Sequence, residues 1–328
     1  MIGTQEESQR VINVGLLLYT GCQIAMIYGM TDLLEVASRF SKDRGGPIFI
    51  VKKWSKGDDG SIISSFVVER PEEARPDIVV VPGRVTGPAT QMEALPFIDW
   101  IKTQYGQGTV LASSCAGAFI LAETGLLSGR TVTMHWVDVE AFRSRFPTVE
   151  LAPDRITIEE GDLITAGGLM AWTDLGLRIV NRFLGPTIML ETAKFFLVDP
   201  AGREQRHYSS FMPRLTHGDS AILKVQQWLQ KGDSLETALP DLAARANLES
   251  RTFTRRFKSA TGLTPAEYVR QLRISKAREL LQFTRHSVDQ IAWAVGYQDT
   301  SAFARAFVNL IGISPREYRR RFSAEDKM

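Results

Sequence analysis

Cysteine is nearly absent: Cys22 and Cys115 are the only two in 328 residues. Two thiols cannot build a disulfide framework, which excludes a small stapled secreted domain and points to a reducing compartment. Histidine is almost as scarce, with His135, His207, His217 and His286 the full set of four. Their wide spacing offers no zinc pattern, so neither a metal nor a cofactor is expected. Long apolar runs are missing too. VINVGLLLY at 11–19 is among the longest, and a membrane helix needs about 20 apolar residues. The opening MIGTQEESQR lacks the basic start and apolar stretch of a secretion signal, so a cytoplasmic location is expected. What is present is an ordinary folded composition, 44% hydrophobic and 23% charged, which excludes a disordered chain or a collagen-like fibre. The length exceeds what one compact core usually carries and suggests two domains.

The net charge of +2 hides an asymmetry. Up to Gly218 there are 21 Lys and Arg against 25 Asp and Glu; from Asp219 onward there are 18 against 12. A negative balance of 4 is thus followed by a positive balance of 6 in the last third. That excess suggests an anionic partner for the C-terminal segment, a solvated basic face being the plainer alternative.

The first two-thirds alternates short apolar runs with helical patterns. VINVGLLLY (11–19), PIFIVKKW (47–54), DIVVVPG (77–83), TVLASSC (109–115) and DLITAGG (162–168) read as strands buried on both faces. MTDLLEVASRF (30–40), MEALPFIDWIKTQYG (92–106), AGAFILAETGLL (116–127) and MAWTDLGLRIVNRFLG (170–185) read as helices. The alternation predicts a doubly wound α/β layer structure, flavodoxin-like in plan. Ligands in such folds sit beyond the carboxyl ends of the strands, which directs attention to Gly83, Cys115, Gly167 and Gly168. GDDG at 57–60 reads as a hairpin turn.

Five segments are expected: a flexible N-terminus (1–10), an α/β domain (11–194), a polar arm (195–218), an all-α domain (219–322) and a short tail (323–328). His207 and His217 in the arm, and His286 further on, are expected at the surface.

The all-α segment contains a repeat. Phe253, Phe257, Gly262, Pro265, Glu267 and Tyr268 recur 50 residues later as Phe303, Phe307, Gly312, Pro315, Glu317 and Tyr318. Upstream the offset is 49, with Leu242, Ala243 and Leu248 matching Ile291, Ala292 and Tyr297. Each copy predicts a short helix, a tight turn at Asn247 or Gly296, and a second helix closed by Gly-x-x-Pro. The outward positions of the second helices are Ser250, Arg251, Thr254 and Arg255 in one copy and Thr300, Ser301, Ala304 and Arg305 in the other. Such helices present their first turns to base edges in a major groove. Arg256, Lys258, Arg270, Arg273, Lys276 and Arg278 are candidate phosphate contacts. PAEYVRQLRISKARELLQF links the copies; as one helix it spans about 28 Å at 1.5 Å per residue.

Residues 219–322 resemble the AraC-type DNA-binding domain. The likeness lies in ISKARELLQ, in SVDQIAWAVGYQDTSAFARAFVNLIGISPREYRRRF, and in their Gly-Tyr, Phe-x-x-x-Phe and Gly-x-x-Pro spacings. The resemblance implies a bacterial regulator that reads an asymmetric promoter site in double-stranded DNA and contacts RNA polymerase, usually as an activator, associated with the nucleoid when bound.

The second chemical signal is TVLASSCAGAFILAETGLL. An apolar strand runs into Cys115 and a helix follows at once, the small-x-nucleophile-x-Gly layout of a nucleophile elbow. A helix N-terminus would favour the thiolate, whereas a small cysteine filling a tight turn is the simpler alternative. Gly83, Ser114, Cys115, Ala116, His135, Gly167 and Gly168 are the candidate ligand-site residues. The amide of Ala116 is a donor for an oxyanion or a ligand carboxylate. Cys22, in the polar turn TGCQ, is expected to be structural.

The elbow, LAETGLLSGR, TMHW and DLITAGGLMAWTDLGLRIV resemble the PfpI, or class I glutamine amidotransferase-like, domain fused to AraC-type regulators of the GlxA-like subgroup. DPAGREQRHYSSF resembles the interdomain segment of that subgroup. Two departures set this chain apart. Ala116 follows the cysteine where the proteases carry histidine, and Met26 lies near the position where many relatives are acidic, the first acids being Asp32 and Glu35. A thiol without base and acid is poorly equipped for covalent catalysis. The resemblance therefore implies a non-catalytic, ligand-binding sensor: a homodimer that binds a small metabolite, such as an amino acid or betaine derivative. The alternative is a cysteine hydrolase or hydratase with an accessory DNA-binding tail.

Overall fold

A computed structural model describes residues 9–66, 75–200, 204–231 and 238–324. The chain divides into two compact units, with the boundary between Gln205 and Arg206.

The first unit is built on a seven-stranded sheet. Its strands in chain order are β1 (Val11–Leu18), β2 (Ile48–Lys56), β3 (Ile62–Phe66), β4 (Ile78–Val81), β5 (Val110–Ser114), β8 (Thr157–Glu160) and β9 (Leu163–Ala166). β6 (Thr131–Val132) and β7 (Glu150–Leu151) form a separate pair. The sheet order is β3-β2-β1-β4-β5-β9-β8, parallel throughout except for the antiparallel edges β3 and β8. Every residue of β4, β5 and β9 is buried, as expected of central parallel strands covered on both faces. The winding direction reverses between β1 and β4, so their carboxyl ends open the crevice where such folds hold ligands.

The helices of this unit are α1 (Ile24–Lys42), α2 (Gln91–Gly106), α3 (Gly117–Glu123), α4 (Val139–Arg145), α5 (Trp172–Leu184) and α6 (Pro186–Phe195). α1 packs on α5 and α6, and α2 packs on α3. α1 begins well before the expected Met30, because Met26, Ile27 and Met30 already bury one face at helical spacing. α4, α6 and the edge strand β8 were not expected. Gly185-Pro186 reads as a terminator, but here the glycine, at φ 88°, ends α5 and the proline starts α6. Gly57–Gly60 makes the turn expected between β2 and β3, with the Gly60 amide on the Gly57 carbonyl at 3.0 Å.

The second unit contains α7 (Ser220–Gln230), α8 (Leu239–Arg245), α9 (Ser250–Thr261), α10 (Pro265–Phe283), α11 (Val288–Ala294), α12 (Thr300–Ile311) and α13 (Pro315–Phe322). It has two separate cores. Ile222, Leu242, Phe253, Phe257 and Tyr268 lie in the first; Ile291, Phe303, Phe307 and Tyr318 lie in the second. α10 serves both, giving Tyr268 to one and Ile274, Ala277 and Leu281 to the other. Each fully buried Phe contributes about 1.5–3 kcal/mol relative to exposure, which is why the repeat keeps its phenylalanines in register.

The expected arm is not one element. α6 runs to Phe195, a 3-10 turn covers Gln205–His207, and the division between units falls inside the segment. Of the expected N-terminal segment, residues 1–8 lie outside the described residues, as do 325–328 of the tail. Arg10 already extends the pairing of β1 with β2, its carbonyl accepting from the Ile48 amide at 3.0 Å.

Candidate nucleic-acid interface and ligand crevice

In the second unit the two helix-turn-helix copies are close structural repeats. Asn247 and Gly296 occupy the turns at φ 53° and 82°. Gly262 and Gly312 both end the second helices in the left-handed conformation, at φ 80° and 88°. Left-handed backbone is where glycine and asparagine are least penalised, so residue type and geometry agree at all four positions.

The expected base-reading residues lie together on the outward side of each second helix. Ser250, Arg251 and Arg255 are exposed on α9 with Thr254 half-buried; Ser301 and Arg305 are exposed on α12 with Thr300 and Ala304 half-buried. The ends of the helices differ. Asp299 caps α12, accepting from the amides of Ser301 at 2.9 Å and Ala302 at 3.0 Å, and these bonds hold its carboxyl below the usual range. Arg305 lies 3.8 Å from Asp299, both side chains being largely exposed. A pair this solvated is weak and readily exchanged for another anion. Glu249 begins α9 without a side-chain cap.

The candidate phosphate residues separate into two groups. Lys258, Arg270 and Lys276 are exposed, and Arg273 stacks its guanidinium 5.4 Å from the Tyr297 ring centre. Arg270 and Arg273 line a cleft of about 420 Å³ together with Thr254 of α9 and Tyr297 of the second turn. Two residues are corrected. Arg278 is buried, donating to the Tyr318 hydroxyl at 2.9 Å and to the backbone carbonyls of His207, Tyr208 and Ser209, so it cannot meet a phosphate. Arg256 makes a two-pronged pair with Asp219, at 2.9 and 2.8 Å, which joins α9 to the cap of α7. Neither role is visible in residue spacing, since both partners come from the arm or its end. For the same reason His207 is buried rather than at the surface. His217 is half-buried against Gln226 at 2.7 Å, and His286 is exposed.

In the first unit, Gly83, Ser114, Cys115, Ala116, Gly167 and Gly168 lie at the carboxyl ends of β4, β5 and β9, and His135 lies in the loop after β6. Cys115 adopts φ 51° on the sharp turn into α3, and its amide bonds the Ala166 carbonyl at 2.8 Å. The turn is crowded. A Cβ on Gly83 would stand 2.8 Å from the Cys115 Cβ, and one on Gly117 would stand 2.4 Å from the Val81 carbonyl oxygen. Only glycine fits either position without backbone movement.

The electrostatics oppose a nucleophile. Cys115 is 4% exposed. Burial pushes its thiol up to about 11; the Asp138 carboxylate adds to the rise, and the amides of Ala116 and Arg84 offset only part of it. The expected thiolate is therefore absent at neutral pH, desolvation outweighing what the short helix start contributes. Burial also lowers His135 and raises Asp138. The His135 Nδ1 accepts from the Val137 amide at 3.2 Å, which leaves the neutral ring its proton on Nε2. Met26 is fully buried, whereas Asp32 and Glu35 face outward, so α1 brings neither carboxylate to the thiol.

Several residues of the crevice escaped the sequence. Tyr19 donates to the Pro82 carbonyl at 2.8 Å, and burial pushes its phenol up. Arg84 binds both oxygens of Glu93 at 2.9 Å, and Glu93, also held by the Thr90 cap, is lowered to about 2. The Thr-x-x-Glu spacing at 90–93 was the available signal for that cap. The Gln23 Oε1 and the Ser114 hydroxyl are buried without a hydrogen-bond partner among the described residues. Cys22 is buried, and its backbone bridges to Arg84. No group of three or more His, Cys, Asp or Glu suited to a metal occurs among the described residues, and none of their helices is long and apolar enough to cross a membrane.

Residues 242–321 match the helix-turn-helix domain family, and residues 53–182 match the DJ-1/PfpI family. The chain is 26% identical over 317 residues to the HTH-type transcriptional regulator CdhR of Pseudomonas aeruginosa, covering 92% of this chain and 90% of that protein. It is 26% identical to the HTH-type transcriptional regulator GbdR of the same species, spanning 60% of that protein's length and 68% of its own. To the HTH-type transcriptional regulator GlxA of Rhizobium meliloti it is 26% identical, over 68% of this chain and 72% of the relative.

Proposed function

We propose that this chain, an AraC-type transcriptional regulator whose first unit is a DJ-1/PfpI-type domain, is a sequence-specific activator controlled by a small metabolite. The observation that carries the reading is the paired display on α9 and α12: Arg255 and Arg305, one repeat apart, are both exposed beside small polar neighbours. Arginine at such a position bonds guanine O6 and N7 bidentately. The cleft lined by Thr254, Arg270, Arg273 and Tyr297 suits backbone phosphates, which position the protein without specifying sequence.

The effector site is the crevice of Gly83, Ser114, Cys115, Ala116, His135, Gly167 and Gly168. Its chemistry favours recognition over turnover, because a protonated thiol and a neutral imidazole offer donors and acceptors but no ready nucleophile. An amino acid or betaine derivative is the proposed ligand class. Ligand binding must distinguish two states of the protein to have any effect. A homodimer and a contact with RNA polymerase complete the reading. The elbow geometry of Cys115 favours the rival hydrolase or hydratase; the raised thiol pKa speaks against it.

The test is selection of genomic fragments from the source organism by the purified chain. A shared sequence motif upstream of genes is the expected result, and those genes then identify the metabolite to titrate. Recovery of fragments with no common motif would defeat the assignment.

A further inference from the structure

The carboxamide of Gln205 is enclosed by the first unit. Its Nε2 donates to the Thr133 Oγ1 at 3.1 Å, the Met134 carbonyl at 2.9 Å and the Arg155 carbonyl at 3.0 Å, while its Oε1 accepts from the Trp136 amide at 3.3 Å. The Thr133 hydroxyl itself donates to the Arg155 carbonyl at 2.7 Å, so the acceptors are oriented by one another. Gly167 forms the floor: a Cβ there would lie 1.8 Å from the Gln205 Nε2. The backbone is fastened as well, with the Gln205 amide on the Asp154 carbonyl at 2.9 Å and Glu204 bridged to Arg155. Gln205 is 2% exposed. Every polar atom of its side chain is therefore matched, by groups that come largely from the loop carrying His135.

The next residue belongs to the second unit. A Cβ on Gly312, which closes α12, would meet the Arg206 Nε at 2.4 Å and the His207 Nε2 at 2.9 Å. Arg278 of α10 then holds the carbonyls of His207, Tyr208 and Ser209, and Tyr208 stands edge-on to Phe322 at 5.5 Å. Consecutive residues are thus bound to the ligand crevice's loop and to the end of the second recognition helix.

We propose that the cage of Thr133, Met134, Trp136, Arg155 and Gly167 is a primary-carboxamide site whose resident occupant is Gln205, and that it is the clasp through which the His135 loop controls the arm. Ligand entry beside His135 shifts the Thr133–Trp136 backbone, breaks the match to the carboxamide and releases Gln205. The site needs an N–H₂ group facing its acceptors and a carbonyl facing Trp136; a carboxylate of the same shape would set oxygen against oxygen. The control step rests on the reading of the chain as a ligand-controlled regulator, whereas the cage chemistry does not.

The experiment uses the full chain, Gln205→Ala and the near-isosteric Gln205→Glu. The two readouts are hydrogen exchange of the segment 131–137 and tryptic cleavage after Arg206. Both variants should exchange and be cleaved about tenfold faster than the parent, the order of change from losing about one net hydrogen bond that opposes local opening. Acetamide matches the atoms that Gln205→Ala removes. It should restore protection at 131–137 in that variant without restoring resistance at Arg206, because it is not bonded to the arm. N,N-dimethylacetamide, which lacks the N–H donors, should restore neither.

Unchanged cleavage after Arg206 in both variants overturns the clasp, and equal rescue by the two amides overturns the carboxamide site. Should Gln205→Ala fail to fold, Gln205→Glu and Thr133→Val carry the cleavage test. The regulator reading fails separately, by the parent chain selecting no DNA motif.

Discussion

Arg278 and Tyr318 are joined twice: the arginine Nε donates to the tyrosine hydroxyl at 2.9 Å, and its guanidinium carbon lies 5.2 Å from the ring centre. The first repeat solves the same problem differently, its Tyr268 hydroxyl receiving a bond from Gln226 of α7 at 3.3 Å. A basic residue on the linking helix has thereby become part of the second core rather than part of the charged surface.

Arg278→Ala should destabilise the second unit by about 1.5–3 kcal/mol, the scale for hydrogen bonds to a charged group, since the carbonyls of residues 207–209 lose their donor while the Tyr318 hydroxyl keeps Gln282. Urea unfolding measures this. The slope of DNA affinity against salt should stay the same in the variant. A fall in that slope by about one with stability intact would return Arg278 to the phosphate contacts.

Arg255→Ala and Arg305→Ala should each relax selection at one base position by about 1–3 kcal/mol, in different parts of the bound site. Arg273→Ala should instead weaken binding to all sequences alike and lower the salt slope by about one. Competition binding with single-base variants of a selected duplex separates the two behaviours. Identical base preferences in the parent and both recognition-helix variants would remove α9 and α12 from the interface.

Cys115 should resist iodoacetamide at neutral pH and react only as the pH approaches about 11. The same shift has a stability consequence. Its folded value lies above the ordinary 9.0, so the unfolded chain ionises first as pH rises. The contribution is complete below about pH 9 and is lost progressively on the way to about 11. Cys115→Ala should therefore show a shallower alkaline decline in melting temperature than the parent. Rapid alkylation at pH 7 would revive the nucleophile.

Gly83→Ala should cost about 1–3 kcal/mol, as overpacking does. The clash is with the Cys115 Cβ, so Cys115→Ala should give no relief while Cys115→Gly should recover part of the loss. Denaturant titration of the four proteins forms the cycle. Additive losses for Gly83→Ala and Cys115→Gly would show that the two backbones do not press on each other.

Much of this architecture is legible in residue order. Continuous apolar runs bounded by turn residues located the five parallel strands, and the 50-residue repeat located both helix-turn-helix copies, because each signal is local or self-matching. What escaped was relational. The burial of Arg278 and the pairing of Arg256 depend on residues 207–219, a segment without periodicity. The position of Cys115 before α3 suggested a thiolate, yet its ionisation is decided by how many neighbours exclude water, which no spacing encodes. The edge strand β8 was missed because its residues are mixed and Glu159 and Glu160 are exposed. Gln205 lies in DPAGREQRHYSSF, and nothing in the spacing of that segment pairs its carboxamide with Thr133, Met134, Trp136 and Arg155.

The repeat also gives the reader a direction. Of the four outward positions, Ser250, Arg251 and Thr254 correspond to Thr300, Ser301 and Ala304 in the other copy, and only the arginines Arg255 and Arg305 agree. One copy is capped by Asp299 and the other begins at Glu249. Protein symmetry is what makes a palindrome the best site, and a single chain of this kind has none to offer. On the proposed reading, each chain's share of the site then has a left and a right, so inverting that share turns the chain bound to it around and presents its other end to whatever stands beside it.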